Sequence, residues 1–248
     1  MTDVLGWRRV FGVLGPSTNT VVQPDFDDLR VPGVTNHYSR IIVRNPTALS
    51  DADFLRGTDA IDAATHDAVR AVMTCEPDYL VLGMSAVTFY GGAEGSAKWT
   101  RAVEDVAGVK LCTGSASLIE AFRAYGGIRR IALLSPYFPV ANEQVKRFMA
   151  DHGYEVVRDR ALRCQSWLHI ARVTPEVLRA AILELDGDDV DAIVQVGTNL
   201  SMVALAAAAE TFLQKPVIAI NAATYWNALR QNGIADRKRG FGRLMAEF

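Results

Sequence analysis

The stretch Pro77–Gly92, PDYLVLGMSAVTFYGG, decides the fold of this chain. Its apolar run Tyr79–Leu82 is short, partly β-branched and entered through Pro77, which is typical of a central parallel strand covered on both faces. A loop of small and hydroxylated residues follows. Backbone N–H groups in such a loop can approach a ligand, and a helix that opens near Ala93 adds its positive N-terminal end. The stretch predicts a strand that carries a loop for a small anion, although an ordinary strand-to-helix turn fits the same pattern.

The same pattern occurs a second time in the chain. The segment DYLVLGMSA from Asp78 matches DAIVQVGTN from Asp191, which sets Met84 opposite Gly197 and Ser85 opposite Thr198. Two more pairs of segments follow in the same order: RRV from Arg8 with RRI from Arg129, and GSASLIEAFR from Gly114 with NAATYWNALR from Asn221. Matched segments in one order predict two similar halves, which we expect to pair about a pseudo-twofold axis with their equivalent loops across one cleft.

Strands alternate with helices along the whole sequence, which predicts parallel sheets built from right-handed βαβ units. The predicted fold class is therefore α/β, with two similar Rossmann-like halves and an active site in the cleft between them. We expect the first half to comprise residues 1–114 together with 222–248. The second half is expected to comprise residues 115–221.

Composition and charge exclude several classes of function. The 248 residues are 50% hydrophobic and 22% charged, which indicates a soluble globular chain with an ample core. A net charge of -2 and scattered arginines indicate neither a nucleic-acid partner nor a membrane surface. No signal-peptide core opens the chain, and no stretch approaches the roughly 18 apolar residues of a membrane span. We expect a cytoplasmic protein, and the sequence allows a homo-oligomer.

The three cysteines, Cys75, Cys112 and Cys164, are widely separated. They form neither a CxxC pair nor a Cys/His cluster, so neither disulfides nor a metal site is predicted. Each is expected to be a small buried side chain. For Cys112 a reactive thiol is the alternative, because it ends a predicted strand and precedes a turn of small polar residues.

The turn PSTNT from Pro16 follows the first predicted strand, at an end of the sheet where a ligand can bind. Its side chains can supply hydroxyl and amide donors to a carboxylate, and the candidates are Ser17, Thr18 and Asn19. The same residues also fit the N-cap of the helix that follows, and both roles are compatible.

Two candidates occur in the second half. Tyr137 takes the place that the first half gives to this turn, so its phenol either donates to a carboxylate oxygen or anchors the loop. Trp167 and His169 share the loop RCQSWLH from Arg163. They either wall a pocket and move a proton, or are a packed tryptophan and a surface histidine.

Several segments resemble the arylmalonate decarboxylase family. They are GMSAVTFYGG from Gly83, IARV from Ile170 and GFGRL from Gly240. The turn PSTNT instead resembles the related maleate cis-trans isomerases. The similarity extends over nearly the whole chain and indicates the aspartate/glutamate racemase superfamily.

The resemblance implies a cofactor-free enzyme in which hydrogen-bond donors stabilise an enediolate-like intermediate on a small carboxylate. Ser85 falls where the decarboxylases have a carboxylate-binding threonine, and Ala86 falls where they have a serine. Tyr137 matches a tyrosine of that oxyanion site, Asn19 matches a substrate-binding asparagine of the isomerases, and Trp167 falls on a wall of the pocket. The remaining expected substrate contacts are Pro16, Ser17, Met84, Gly197, Thr198 and Asn199.

One departure from the family concerns its chemistry. The family uses a cysteine on one or both of the symmetric loops, and this chain has Met84 and Gly197 at those positions. Neither residue can deliver a proton or attack a double bond. The proton would instead come from Ser85, Tyr137 or His169, or from a water held by Thr198 and Asn199; among these His169 has the most suitable ordinary pKa.

Three functions remain open from the sequence. The first is a decarboxylase-like or isomerase-like enzyme on a small carboxylate or dicarboxylate, with proton transfer that does not use cysteine. The second is a hydrolase or hydratase that uses a water in the space left by Gly197. The third is a carboxylate-binding protein without catalytic activity.

Overall fold

Two four-stranded parallel sheets form the framework of the computed structural model, which describes residues 3–44 and 47–248. The first sheet has the order β2-β1-β3-β4, with β1 (Arg9–Pro16), β2 (Val34–Ile41), β3 (Tyr79–Leu82) and β4 (Leu111–Cys112). The second has the order β6-β5-β7-β8, with β5 (Arg130–Ser135), β6 (Glu155–Ala161), β7 (Ala192–Gln195) and β8 (Val217–Ala219). Because the orders correspond strand for strand, the α/β class and its duplication are confirmed.

Helices and turns connect the strands. Those before β5 are α1 (Val22–Leu29), α2 (Asp51–Ala63), α3 (Thr65–Val72), α4 (Gly92–Ala107) and α5 (Gly114–Tyr125). Those after it are α6 (Pro139–Asp151), α7 (Trp167–Ile170), α8 (Pro175–Leu185), α9 (Val203–Leu213), α10 (Ile220–Gln231) and α11 (Arg243–Glu247). Short 3-10 turns span Met73–Cys75 and Ala86–Phe89.

The strands that carry the loops of interest are central and buried. Leu80, Val81 and Leu82 of β3 are fully buried, as a strand covered on both faces requires. β3 pairs with β1, and β7 pairs in the same way with β5. Parallel strands end at the same edge, so the loops after β1 and β3 are brought together in one half and those after β5 and β7 in the other.

Helix α10 ties the two sheets together. It follows β8 of the second sheet but packs against α1 and α5. Its Tyr225 is fully buried, with its ring 5.2 Å from Phe26 of α1 and 6.0 Å from Phe11 of β1. The packing of these aromatic rings holds α10 close to α1.

The cysteines differ from one another. Cys112 and Cys164 are buried, whereas Cys75 is exposed, because it lies in the 3-10 turn that ends α3. Burial raises the pKa of Cys112 to about 12, so its thiol stays protonated, the opposite of what a reactive cysteine needs. Across residues 3–44 and 47–248, no group of His, Cys, Asp and Glu side chains is arranged to hold a metal, and no helix is long and apolar enough to cross a membrane.

Candidate functional site

A small cavity of about 50 Å³ lies between the two halves, where the loops after β1, β3, β5 and β7 meet. The first half contributes Pro16, Thr18, Asn19, Met84, Ser85 and Ala86 to its lining. The second half contributes Tyr137, Trp167, Gly197, Thr198 and Asn199. The cleft predicted from the duplicated loops is therefore present, and it contains most of the residues singled out from the sequence.

Two hydroxyl groups meet inside this cavity. Ser85 Oγ and Tyr137 Oη are 2.7 Å apart, and the backbone N–H of Gly197 donates to Ser85 Oγ at 3.2 Å. Ser85 and Tyr137 are both almost fully buried. Three hydrogen-bond donors from both halves thus converge on one point, which is the arrangement that stabilises a developing negative charge on oxygen.

Tyr137 is held in place from both sides. Its backbone N–H donates to Ser135 Oγ at 3.2 Å, and its ring lies 5.2 Å from Phe54 of α2. Helix α6 begins two residues later at Pro139, so its N-terminal end lies close to the phenol in sequence. Burial raises the pKa of Tyr137, so the phenol stays protonated at neutral pH and remains a donor.

Asn19 fills both roles considered from the sequence. Its Oδ1 accepts from the backbone N–H groups of Val21 and Val22 at 3.0 and 2.9 Å, at the start of α1. Its Nδ2 donates to Thr198 Oγ1 at 3.0 Å, and this hydroxyl donates to Gly83 O at 2.9 Å. The loops after β1, β3 and β7 are therefore joined by one chain of hydrogen bonds beside the cavity.

Asn199 makes a second link between the halves. Its Oδ1 accepts from Thr20 N at 2.9 Å, and its Nδ2 donates to Trp167 O at 2.8 Å. Both ends of this side chain are occupied by protein groups, so Asn199 shapes the cavity wall more than it offers a free donor.

Trp167 and Met84 form apolar parts of the wall. The Trp167 ring packs 4.8 Å from Phe54, and its buried Nε1 has no hydrogen-bond partner within the described ranges. A Cβ at Gly57 of α2 would lie 2.9 Å from this ring, so the helix approaches it closely. Met84 is also buried and lines the cavity, as the symmetric loop positions predict.

Two sequence candidates lie outside the cavity. His169 is exposed, because the helical turn α7 directs Trp167 and Ile170 inward and His169 outward. His169 lines a separate surface groove. We therefore assign it no proton-transfer role in this cavity. Ser17 is exposed too, and its Oγ accepts from Val43 N at 2.9 Å. It ties the end of β1 to the segment after β2.

Gly197 leaves no free space where its side chain would lie, contrary to one of the functions that the sequence left open. Its φ is +94°, and a Cβ built on it would lie 2.4 Å from both Cδ and Cγ of Pro136. The proline ring fills the place of a side chain. The prediction that a water occupies the space left by Gly197 is therefore wrong, and position 197 contributes its backbone N–H.

Helix α2 supplies lining residues that the sequence did not reveal as such. Thr58 and Ile61 line the cavity, and with Phe54 they share one face of the helix. The periodicity of this face was recognisable. The surface against which this face packs could not be recognised from the sequence. Helix α2 reaches the second half through long-range contacts, such as the hydrogen bond from Val140 N to Asp51 Oδ1 at 3.2 Å.

The lining is neutral throughout. Among the described residues that line the cavity, Tyr137 is the only one with an ionisable side chain. The site can therefore hold an anion by hydrogen bonds alone, and its side chains include neither a general base of ordinary strength nor a cysteine nucleophile.

Comparison with known proteins points to one family. The family model for arylmalonate decarboxylase matches residues 55–245. An arylmalonate decarboxylase from Bordetella bronchiseptica is 28% identical over 197 residues, which cover 77% of this chain and 80% of that protein. A maleate isomerase from Nocardia farcinica is 24% identical over 255 residues, covering 98% of this chain and 97% of that protein.

Solved structures share the fold. A cysteine-to-serine variant of the Nocardia farcinica maleate cis-trans isomerase, with a covalently bound succinylcysteine intermediate, matches with a TM-score of 0.87 and 22% identity, covering 97% of this chain and 99% of that chain. A liganded double variant of arylmalonate decarboxylase, in which one glycine is cysteine and one cysteine is serine, matches with a TM-score of 0.83 and 24% identity, covering 96% and 99%.

Proposed function

The chain belongs to the arylmalonate decarboxylase family, and we propose that it is a cofactor-independent enzyme that removes carbon dioxide from a small malonate-type carboxylate through an enediolate-like intermediate. One observation carries the proposal: Ser85 Oγ, Tyr137 Oη and the Gly197 N–H converge inside the cavity between the halves. A substrate carboxylate that takes the place of the mutual bond between the two hydroxyls would receive donors from both halves.

These donors suit the charge that decarboxylation develops. When the carbon–carbon bond to the departing carboxylate breaks, its electrons move to the α-carbon and onto the oxygens of the retained carboxylate. Fixed donors in a buried site stabilise that charge more than water does, because they are already oriented. Ser85 and Tyr137 are fixed in this way, since both are almost fully buried.

The neutral lining favours decarboxylation over isomerisation. Loss of carbon dioxide needs no base, because the breaking bond itself supplies the electrons. Racemisation needs a base to remove a proton, and isomerisation through a covalent adduct needs a nucleophile; the described lining has neither a base of ordinary strength nor a cysteine. The apolar side chains Ile61, Val87 and Ile170 also favour uncharged carbon dioxide over a second, unpaired carboxylate.

Tyr137 is the group that we assign to deliver the proton. Its O–H bond breaks, the proton goes to the α-carbon, and the tyrosinate, which Ser85 holds at 2.7 Å, regains a proton from water. Burial makes the phenol a weaker acid than usual, but a carbanion next to a carboxylate is a far stronger base than tyrosinate. The transfer is therefore downhill without a cysteine.

The test is release of carbon dioxide from phenylmalonate and alkylmalonates, with maleate as the substrate for isomerisation. Tyr137→Phe and Ser85→Ala are each expected to lower kcat by about 10²- to 10³-fold, the usual cost of removing one oxyanion donor. His169→Ala is the matched control, because His169 is exposed outside the cavity. Carbon dioxide release that survives both cavity substitutions at full rate would refute the assignment.

A carboxylate-binding protein without turnover is the second candidate, and the scarcity of ionisable groups in the cavity favours it. It predicts thermal stabilisation by malonates without any product. Stabilisation depends on the logarithm of ligand concentration over Kd, so about 100-fold excess gives about 2.7 kcal/mol. That shift, lost in Ser85→Ala and unaccompanied by carbon dioxide, would replace the first candidate with the second.

A further inference from the structure

A buried amide outside the cavity lining holds the loop after β7. Asn221, in the first turn of α10, is 2% exposed. Its Nδ2 donates to the backbone carbonyl of Thr198 at 2.9 Å and to Asp25 Oδ2 at 2.7 Å. Both N–H bonds of the amide are thus used. Its Oδ1 is buried without a partner in the described part of the chain.

Thr198 is the residue through which this contact reaches the cavity. Its hydroxyl lines the cavity and bonds to Asn19 and to Gly83 O. The residue before it, Gly197, supplies the N–H that donates to Ser85. A shift of the Thr198 peptide would therefore displace the donors on which the proposed reaction depends.

We propose that Asp25 is a positioning residue, whose carboxylate orients Asn221 and through it fixes the Thr198 peptide and the donors at Gly197 and Thr198. Its effect on catalysis rests on the proposed function. The hydrogen-bond link itself does not, and it can be tested without any substrate.

Asp25 is placed to change its charge near neutral pH. The pKa of Asp25 is raised to about 6. Burial is the largest cause, the hydrogen bond from Asn221 lowers the pKa, and the charge of Asp28 in the same helix raises it. The other polar or charged groups around this helix come from β2, from α10 and from the segment after α10. Tyr38 bonds to Gln23 and Asp27, Asn36 donates to Asp27, and Arg40 bonds to Gln23. Tyr225 packs on Phe26, and the ammonium group of Lys238 donates to the backbone carbonyl of Asp28. Within the described residues, no cationic side chain forms an ion pair with Asp25.

The charge on Asp25 should matter for Asn221. A carboxylate accepts a stronger hydrogen bond than a neutral carboxyl group does. Ionised Asp25 therefore holds the amide firmly, whereas protonated Asp25 holds it less well and lets the Thr198 peptide move. Activity should accordingly rise with pH as Asp25 loses its proton.

The first experiment follows the loop directly. In the ¹⁵N-labelled full-length protein, the backbone amides of Gly197 and Asn199 and the side-chain amide of Asn221 are recorded by NMR from about pH 4.5 to about pH 8. We expect one shared transition with a midpoint near the pKa of Asp25, about 6. In Asp25→Asn the transition should vanish and the resonances should stay near their wild-type low-pH positions.

Asp28→Asn is the matched control, because it removes the same charge from the same helix without touching Asn221. It should keep the transition with a slightly lower midpoint. Loop amides that do not move in the wild type, or a transition that persists in Asp25→Asn, would overturn the proposal.

The second experiment compares kcat with phenylmalonate across the same pH range. Wild-type kcat should rise through about pH 6, and Asp25→Asn should stay flat, about tenfold below the wild type at high pH, because small misplacements of catalytic donors are costly. A kcat profile that Asp25→Asn leaves unchanged would overturn the positioning role. If neither the wild type nor any variant releases carbon dioxide, the proposed function fails. The NMR experiment then still decides whether Asp25 positions the loop.

Discussion

Gly197→Ala is expected to lower the free energy of unfolding by about 2–5 kcal/mol, for two separable reasons. The first is conformational: φ at this residue is +94°, a region that costs a residue with a Cβ about 1–2 kcal/mol. The second is steric: the new Cβ would lie 2.4 Å from Cδ and Cγ of Pro136. That ring is tied into the backbone and cannot rotate away, and overpacking of this kind costs about 1–3 kcal/mol.

Denaturant unfolding measures both parts, because the chain offers a matched control. Gly153 has a φ of +82°, and a Cβ built on it would have no heavy atom within 4 Å. Gly153→Ala therefore reports the conformational cost alone, about 1–2 kcal/mol. The double variant Pro136→Ala/Gly197→Ala should recover much of the steric part. If Gly197→Ala destabilises no more than Gly153→Ala, Pro136 does not occupy the place of the side chain, and the reasoning is refuted.

The same geometry predicts what a cysteine at this position would do. Gly197→Cys meets the same proline ring, so it should be destabilised like Gly197→Ala and should gain no isomerase activity on maleate. Relief of the clash by Pro136→Ala is the condition under which a thiol at position 197 would fit.

Two further predictions concern the side chains that hold the loops. The pKa of Asp25 is raised from 3.8 to about 6, so the folded protein binds an additional proton between these pH values and its free energy of unfolding falls as pH rises through them. Asp25→Asn should therefore stabilise the protein by about 2 kcal/mol at neutral pH, after allowance for partial exposure, and by nearly nothing below pH 4. Denaturant unfolding at both pH values measures the difference. Asn19→Ala removes the acceptor for two N–H groups at the start of α1 and the bond to Thr198, so it should cost about 1 kcal/mol of stability and lower kcat as well, whereas loss of a cap alone would leave kcat unchanged.

The sequence predicted the two loops because they repeat. The matched segments after β3 and β7 predicted that their two loops face each other across one cleft, and the structure joins these loops by the hydrogen bond of 3.2 Å from Gly197 N to Ser85 Oγ. The equivalence between the turn at Pro16 and the start of α6 likewise placed Tyr137 in the cavity. A duplicated pattern conveys three-dimensional information because equivalent strands end at equivalent edges.

His169, one of the two candidates that lie outside the cavity, had no such repeat. His169 was chosen because histidine is a common proton-transfer residue, but Ser166 caps the helical turn α7 by accepting from His169 N at 3.0 Å, and that turn directs the ring outward. Thr58 lines the cavity but was not identified from the sequence. Its helix has a clear buried face, yet only long-range packing on Trp167 and Tyr137 decides that this face covers the cavity.

The pairing of Gly197 with Pro136 bears on the proposed reaction, which uses no cysteine. The positive φ of Gly197 is compatible with an N–H directed at Ser85, and the proline ring occupies the place that a side chain would need. The second loop therefore contributes a backbone donor, and the first contributes a hydroxyl. Neither of the symmetric positions, Met84 and Gly197, can take a proton back from carbon. A reaction that exchanges protons at both faces is therefore disfavoured, and a one-way reaction, in which carbon dioxide leaves and Tyr137 only has to donate, is compatible with what remains.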